Sequence, residues 1–576
     1  MEKLQMGRFK GYSLADFRKD LLSGLIVGIV AIPLAMSFAI ASGVKPEYGI
    51  YTTFIAGIII SLFGGSKYQI GGPTGAFVPI LLGIVLAYGY EDLLLAGLMA
   101  GLLLCLMGFF KLGSLIQFIP RPVTIGFTAG IAVIIFTGQI ANFLGLTEIE
   151  KHENFIANMR ELVMHFATIN LYNVVIALIC LTVILIMPRI LPKIPGSLVG
   201  IIISTIVAIV FFAGQVPTIG TAYGAIPNTL PQFQLPDITW ERIERLIGPA
   251  FVIALLGGIE SLLSAVVADG MTKTRHNSNK ELVGQGLANI VTPLFGGIPA
   301  TGAIARTATN IKSGATSPIS GVVHGIFVLL VLLLFAPYAS HIPLASMAPI
   351  LMVVAWNMSE RHHFMHILKL KSADSLVLIV TFLLTVFTSL TIAVEVGLVL
   401  ALILFTKQMI DIPTIFKVLP DHSRKNEKMQ PYVVNTMHDC PQISIYTMEG
   451  PLFFGAAQMF EQTILSTAEP KPNILILRMS KVPFMDTTGE AYFDNIVQEF
   501  KGTILVTGLS PRLQSAMKKS GLYDKIGKQY FFEHTGQAID VALRYLDNTK
   551  CIGCQHFAFR ECAQLTKGVV QWELPD

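Results

Sequence analysis

The polarity of the chain changes character near residue 410. Before it, long apolar runs alternate with short polar turns. The runs lie at about 22–41, 48–63, 75–89, 93–110, 122–140, 171–187 and 197–213, and again at about 247–267, 282–295, 302–313, 319–337, 343–357, 374–389 and 391–408. A helix needs about 20 mostly apolar residues to cross a bilayer. Several of these runs are shorter, 302–313 among the shortest. The pattern predicts fourteen membrane segments in two sets of seven, spread over 21–410, after an N-terminal segment 1–20. Residues 411–442 are polar and read as a linker. Beyond them Ile443–Tyr446, Ile474–Leu477 and Ile504–Val506 have strand character, whereas 455–467, 511–520 and 536–547 have helical spacing. Alternating strands and helices over 443–548 predict a small α/β domain, followed by a tail, 549–576.

Two interruptions of the apolar pattern share one order of residues. The first is Gly71-Gly72-Pro73-Thr74-Gly75-Ala76. The second is Gly296-Gly297-Ile298-Pro299-Ala300-Thr301-Gly302-Ala303. Glycine and proline break a helix, and threonine is a good N-cap for the next one. Each stretch is expected to be extended backbone feeding a short helix, with Thr74 and Thr301 as the caps. Taken singly, either is better read as a packing kink; the shared order in both halves is what favours a site. Inside lipid, freed backbone groups are tolerated only where protein or a water-filled cavity receives them. Paired interruptions in two halves of a membrane protein point to a transporter's binding site, and two helix N-termini aimed at one place favour an anion.

Composition agrees with a multi-pass membrane protein. Hydrophobic residues make up 53% and charged residues only 14% of 576 positions, against about a quarter charged in soluble proteins. Charged residues are about twice as dense in 411–576 as in 1–410, which sets a soluble domain behind a membrane domain. A net charge of +4 gives no reason to expect a nucleic-acid partner. No nucleophile–base pair or nucleotide-binding glycine loop argues for an enzyme, and residues 1–20 lack the apolar core of a cleavable signal. Within 8–20, aromatic and basic residues mix, and Ser13 with Asp16 resembles a capping box. A short helix on the inner membrane surface is expected there, or a solvated tail.

Lys67, Lys111, Arg121, Arg189, Lys193, Lys273, Arg275, Lys280, Lys312, Arg361, Lys369, Lys371 and Lys407 fall in alternate loops. By the positive-inside rule these loops and both termini are cytoplasmic. Charges within the spans are few, and Glu260, Arg306 and Glu395 are the ones set among apolar neighbours. An ionisable group in lipid is costly and is first suspected of function; a structural Glu260–Arg306 ion pair is the alternative. Glu395 lies near the outer end of its span, where a structural role is as reasonable. Of the six cysteines, Cys105 and Cys180 lie in apolar runs. Cys551, Cys554, His556 and Cys562 in the tail have donors suited to zinc, although one short segment would supply every ligand. Redox activity, a dimer contact and inert thiols remain alternatives.

Further residues bring these features under one family. Pro33 to Ala39 (Pro-Leu-Ala-Met-Ser-Phe-Ala), Gly49-Ile50-Tyr51, Phe63 to Ser66 and Gly72-Pro73-Thr74 resemble the SulP anion permeases, the bacterial relatives of pendrin and prestin. Glu260 to Ser264, Asp269 to Thr272, His276-Asn277, Glu281 to Gly286 and Ala305-Arg306-Thr307 fit the same pattern. Met485-Asp486-Thr487-Thr488-Gly489 resembles the Asp-[Ser/Thr]-[Ser/Thr]-Gly loop of a STAS domain. The resemblance covers about 8–548. It implies seven-plus-seven inverted repeats arranged as core and gate domains, a homodimer, and substrates such as sulfate, bicarbonate, chloride or C4-dicarboxylates.

By position, the resemblance places the anion between Thr74-Gly75-Ala76 and Thr301-Gly302-Ala303, with Phe38 as an aromatic wall and Arg306 behind the second half-helix. It makes Glu260 and Ser264 the counterparts of a carboxylate and hydroxyl that lie near a cation in sodium-coupled relatives, where the carboxylate is Asp. The longer Glu favours H+ over Na+. No cofactor is expected. Asp486, Thr487 and Thr488 become a candidate regulatory surface for a cytoplasmic partner of the STAS domain, with Thr488 as phospho-acceptor. The expected function is secondary active anion transport across the lipid bilayer by alternating access. A C4-dicarboxylate/H+ symporter and an uncoupled channel or exchanger are the alternatives.

Overall fold

The computed structural model describes residues 12–114, 120–191, 194–388, 390–411, 414–421, 428–431, 434, 438–466 and 472–567. The chain forms two compact units, Met1–Ala401 and Leu402–Asp576.

In the first set of helices are α1 (Leu14–Ala41), α2 (Pro46–Phe63), α3 (Val78–Tyr88), α4 (Tyr90–Phe109), α5 (Arg121–Gly138), α6 (Leu171–Ile190) and α7 (Gly196–Phe211). The second set holds α8 (Trp240–Thr272), α9 (Ser278–Leu294), α10 (Ile304–Lys312), α11 (Ile319–Ala339), α12 (Leu344–Met358), α13 (Ala373–Phe387) and α14 (Leu390–Asp411). Among the described residues, eight helical segments are long and apolar enough to cross a membrane: α1, α2, α4, α5 with its extension to Leu144, α6, α8, α11 and α14 from Ile392 onward. Three more, Gly75–Tyr88, α7 and α13, are apolar but shorter. α10 has nine residues and depends on its neighbours for burial.

The helices pack as two groups. α1 and α2 lie against α11, and α4 against α8 and α9. Elsewhere α5 packs on α12 and α13, and α6 on α7 and α12. Close approach of α4 to α9 relies on small residues: a Cβ at Gly101 would stand 2.7 Å from the Gly286 carbonyl oxygen and 2.7 Å from the Ile290 nitrogen.

The separate surface helix expected within 8–20 does not form over its described part. Leu14 onward is the first turn of α1, capped by Ser13, whose hydroxyl accepts the Asp16 N–H at 3.3 Å while Asp16 accepts the Ser13 N–H at 3.1 Å. No helix breaker stands between residue 14 and the apolar run. Asp20, fully buried, accepts the Thr316 N–H at 2.6 Å and the Ser317 hydroxyl, which docks this turn onto protein rather than lipid.

Two short strands lie inside the membrane unit, β1 (Gly71–Gly72) and β2 (Thr301–Gly302). In the second unit, β3 (Thr414–Lys417) precedes a small ladder of β4 (Leu419–Asp421) with β5 (Lys428–Gln430). β6 (Ile443–Glu449), β7 (Ile474–Lys481), β8 (Thr503–Thr507) and β9 (Phe531–Phe532) follow, the sheet order being β3-β6-β7-β8-β9. The pairs from β6 to β9 are parallel and β3 is antiparallel at the edge. Period-2 alternation sends successive side chains to opposite faces. Tyr446, Leu475, Leu477 and Val506 meet α15 (Phe454–Ser466), α16 (Thr487–Glu499) and α17 (Pro511–Ser520). Ile443, Ile445, Ile474, Ile476 and Leu505 meet α18 (Thr535–Arg544). The polar stretch 411–442 supplies an edge strand as well as connection, and tail residues Ala558, Phe559 and Leu565 are buried in the second of these cores.

Candidate functional site

The two interrupted stretches meet. β1 and β2 pair antiparallel, Gly71 with Gly302 and Gly72 with Thr301, and the Ala303 N–H donates to the Ile70 carbonyl at 2.9 Å. The backbone groups freed by the breaks thus satisfy one another and draw on side chains from α2, α9 and α10. Thr52 accepts the Ile298 N–H at 2.8 Å. Asn289 accepts the Ala300 N–H and donates to its carbonyl, each at 2.8 Å. Gln69 donates to the Ser261 carbonyl at 3.0 Å, and the Ile70 N–H donates to Thr307 at 3.0 Å. Gly302 has no room for a side chain, because a Cβ there would overlap the Gln69 amide.

From this ladder the chain turns into helix on both sides. Gly75–Phe77 form a 3-10 turn leading into α3, and Ala303 is the N-cap of α10. The expected threonine caps are absent. Thr74 occupies the N-cap position without a side-chain capping bond, and its hydroxyl donates instead to the Glu260 carboxylate at 2.8 Å. Thr301 lies in β2, and its hydroxyl donates to the Gly257 carbonyl at 2.9 Å. Both hydroxyls are recruited by α8, which tertiary packing brings closer than the local amides. Replacing Thr74 with Val will leave Glu260 without this donor. A buried group that loses its partner costs about 1–3 kcal/mol. Uptake is expected to fall more than membrane abundance, as read by transport assay beside quantitative immunoblot; equal losses would assign Thr74 to folding alone.

Thr74, Ala76, Thr301, Ala303 and Arg306 are all under 10% exposed, as is Phe38, and Gly75 and Gly302 are buried. A Cβ built on Gly75 would contact Met358 Sδ, Phe38 Cε1 and Ile135 Cδ1, so these three side chains stand against Gly75. Arg306 donates from Nη2 to the Pro73 carbonyl at 2.9 Å, crossing from the second break to the first. Its Nη1 is buried without a partner among the described residues. No ion pair joins Arg306 to Glu260 among those residues. Ser264, one helical turn beyond Glu260, faces Thr307 at 3.3 Å rather than the carboxylate. Glu395 is exposed.

A cavity of about 670 Å³ approaches this region between α3, α5 and the segment 146–162, lined by Val78, Ile135, Gln139, Lys151, His152 and Asn158 among others. Ile135 in its lining also stands against Gly75. Lys151 reaches the Ile40 carbonyl at 3.4 Å, near the C-terminus of α1, where the helix dipole favours a cation. Sequence reasoning missed Lys151, and also Gln69, Asn289 and His324. His324 on α11 is fully buried with both ring nitrogens unpartnered among the described residues. Buried Glu281 accepts the Gly65 and Ser66 N–H groups at 2.6 and 2.9 Å and Gln285 at 2.9 Å; the Glu281 to Gly286 motif marked the residue but not these partners. The signal for the others is polarity within apolar segments, which does not say which way a side chain turns.

In the second unit Asp486 caps α16, accepting the Gly489 N–H at 2.7 Å and the Phe454 N–H at 3.2 Å. Thr487 is exposed and Thr488 half-buried. Burial and the neighbouring Asp486 raise the Glu490 carboxyl above its ordinary range. In the segment before β6, burial pushes the Cys440 thiol up to about 11, with smaller contributions from Cys562 and Cys551 of the tail. Among the described residues no three His, Cys, Asp or Glu side chains already stand together at metal-binding spacing.

Comparison with known proteins gives a consistent result. The sequence profile of the sulfate permease family matches residues 17–381, and that of the STAS domain matches 436–538. A Bacillus subtilis protein described as "Putative sulfate transporter YvdB" is 57% identical over 92% of this chain and 98% of its own length. The transmembrane domain of a cyanobacterial bicarbonate transporter, BicA, is 30% identical with a TM-score of 0.59, covering 68% of this chain and 98% of that one. The structure of SLC26A9 superposes with a TM-score of 0.84 at 16% identity, over 96% of this chain and 94% of its own, which speaks to the fold alone.

Proposed function

The chain belongs to the sulfate permease family, and on that premise we propose that it carries a small oxyanion across the membrane by alternating access, with sulfate the first candidate and bicarbonate the second. As a member it is an anion transporter and not an enzyme. The observation that carries the site is the ladder between Gly71-Gly72 and Thr301-Gly302. It brings two helix starts and the unpartnered Nη1 of Arg306 to one place inside the membrane unit. The anion binds at Gly75-Ala76 and Gly302-Ala303, against Phe38, with Arg306 supplying positive potential. Sulfate is preferred because the relative named for it is 57% identical along nearly the whole chain, whereas the one named for bicarbonate stands at 30%.

Transport against a negative interior needs a driving ion or a counter-anion, at about 2.3 kcal/mol per charge per 100 mV. Glu260 is the coupling group in this reading. It holds the Thr74 hydroxyl at the start of the first half-helix, so gain or loss of a proton at Glu260 is felt directly at the anion site. The proton is favoured over sodium because Ser264 turns to Thr307 and not to Glu260, so the carboxylate–hydroxyl pair that lies near a cation in sodium-coupled relatives does not form here. Both termini are cytoplasmic by the distribution of Lys and Arg, the membrane is a bacterial inner membrane, and the protein works as a homodimer. The test is uptake by proteoliposomes of labelled sulfate, bicarbonate and a C4-dicarboxylate under imposed proton or sodium gradients. Proton-driven sulfate uptake is expected; sodium-driven uptake indifferent to pH overturns the coupling assignment, and uptake of only dicarboxylate overturns the substrate.

The Asp486–Gly489 turn is the regulatory surface in the same reading, because Thr487 and Thr488 sit at a helix start beside a carboxylate already engaged as cap. A phosphate on Thr488 adds about −1.5 to −2 charge there. Thr488→Glu is expected to lower transport and to weaken binding of a cytoplasmic partner. Unchanged transport and binding reduce the turn to an ordinary strand-to-helix connection.

A further inference from the structure

Four of the six cysteines are gathered in the second unit. Cys551, Cys554 and Cys562 come from the tail, and Cys440 comes from the segment before β6. All four line one small cavity of about 20 Å³, together with His556. A space of about 10–15 Å³ already holds one water, so this cavity is sized for a single ion. Three facts distinguish it from a casual cluster of buried thiols. Cys551 and Cys554 have the Cys-x-x-Cys spacing of a metal knuckle. The other two thiols come from elsewhere, Cys562 from a short helix, Cys562–Leu565, and Cys440 from 111 residues before Cys551. And the surroundings offer donors for a thiolate-rich ion: Gln442 Nε2 points at Cys551 Sγ at 3.4 Å, and Nδ1 of His556 is buried with no partner among the described residues. All six cysteines are free.

We propose that Cys440, Cys551, Cys554 and Cys562 form a four-thiolate zinc site that fastens the C-terminal segment to the entrance of β6. Soft thiolates select zinc among the common divalent metals, and four of them at about 2.3 Å make a closed structural site. The four sulfurs do not stand at metal-binding spacing among the described residues, so the site requires rotation about their side-chain bonds to close a tetrahedron. Two negative charges remain on such a centre, which Gln442 and His556 offset as N–H donors. Gln442 also holds the Asp547 backbone in both directions, at 3.0 and 3.1 Å. The tail therefore arrives at Cys551 already in register with Cys440. With Cys440 as the fourth ligand, the tail no longer has to wrap the ion alone.

The experiment uses the full chain, purified in detergent under reducing conditions with any affinity tag removed, and measures zinc, iron and acid-labile sulfide per chain. About one zinc per chain is expected. Cys440→Ser is expected to lose most of it, Cys440→His to retain it, and Cys105→Ser to leave it unchanged. Cobalt supplied in place of zinc is expected to show the intense thiolate-to-metal absorption of a tetrahedral sulfur site. If Cys440→Ser does not purify, the wild-type chain stripped by chelator serves instead, and faster proteolysis around 548–567, reversed by zinc, is the expected result. Four free thiols with no metal, iron with sulfide, or a disulfide that persists under reduction would each overturn the proposal.

Discussion

Anion affinity will drop by roughly a hundredfold when Arg306 is replaced by Gln. The guanidinium is 2% exposed, is fixed to the Pro73 carbonyl through Nη2, and keeps Nη1 without a partner among the described residues. A unit charge about 6 Å from an anion, at an effective dielectric of about 20, contributes about 3 kcal/mol, and every 1.4 kcal/mol is about tenfold in affinity. Gln retains a donor for Pro73 and removes only the charge, so abundance in the membrane should change little. Arg306→Lys is the companion variant. It keeps the charge and loses the planar fork, and should recover most of the affinity but not the full rate. Equilibrium binding of labelled sulfate to purified protein is the measurement; wild-type affinity in Arg306→Gln removes the residue from the site.

Glu260→Gln should abolish accumulation without abolishing passage. Gln still accepts the Thr74 hydroxyl that Glu260 now accepts at 2.8 Å, so the local geometry survives while the titratable proton is lost. An anion deprived of its driving ion equilibrates with the membrane potential, and 100 mV, interior negative, holds it lower inside than out by about fiftyfold for each charge it carries. Proteoliposomes bearing this variant are expected to exchange labelled anion across the membrane yet fail to concentrate it when a pH gradient is imposed. Full gradient-driven accumulation by the variant removes coupling from Glu260.

Local chemistry explains why some of this was legible in the chain. Gly-Gly and Pro act on their own backbone, so the two breaks stood out at 71–76 and 296–303, and the ladder joining them is where those breaks must find partners. The caps were misread for the converse reason. A threonine hydroxyl reaches a local amide and a neighbouring helix with equal ease, and α8 offered Glu260 and the Gly257 carbonyl. Likewise the strands β6, β7 and β8 announced themselves by β-branched apolar runs, but β9 has two residues and exists only because β8 is there to pair with it. Cys440 carried no signal at all. Its role depends on a fold that returns the chain to it more than a hundred residues later.

That same dependence governs how the protein is made. The N–H and C=O groups of Gly71 and Gly72 reach their partners only when Thr301 and Gly302 arrive, 230 residues later in synthesis. At about 5–20 residues per second, the first set of helices waits on the order of ten seconds or more with an unpaired strand inside the bilayer, where each unsatisfied backbone group costs several kcal/mol. The first half is therefore an unfinished insertion intermediate rather than a folded subunit. If it is expressed alone, quality-control proteases should remove it, and co-expression of the second half as a separate polypeptide should rescue it, because the second half brings both the Thr301-Gly302 strand and the helices that α1, α2 and α4 pack against.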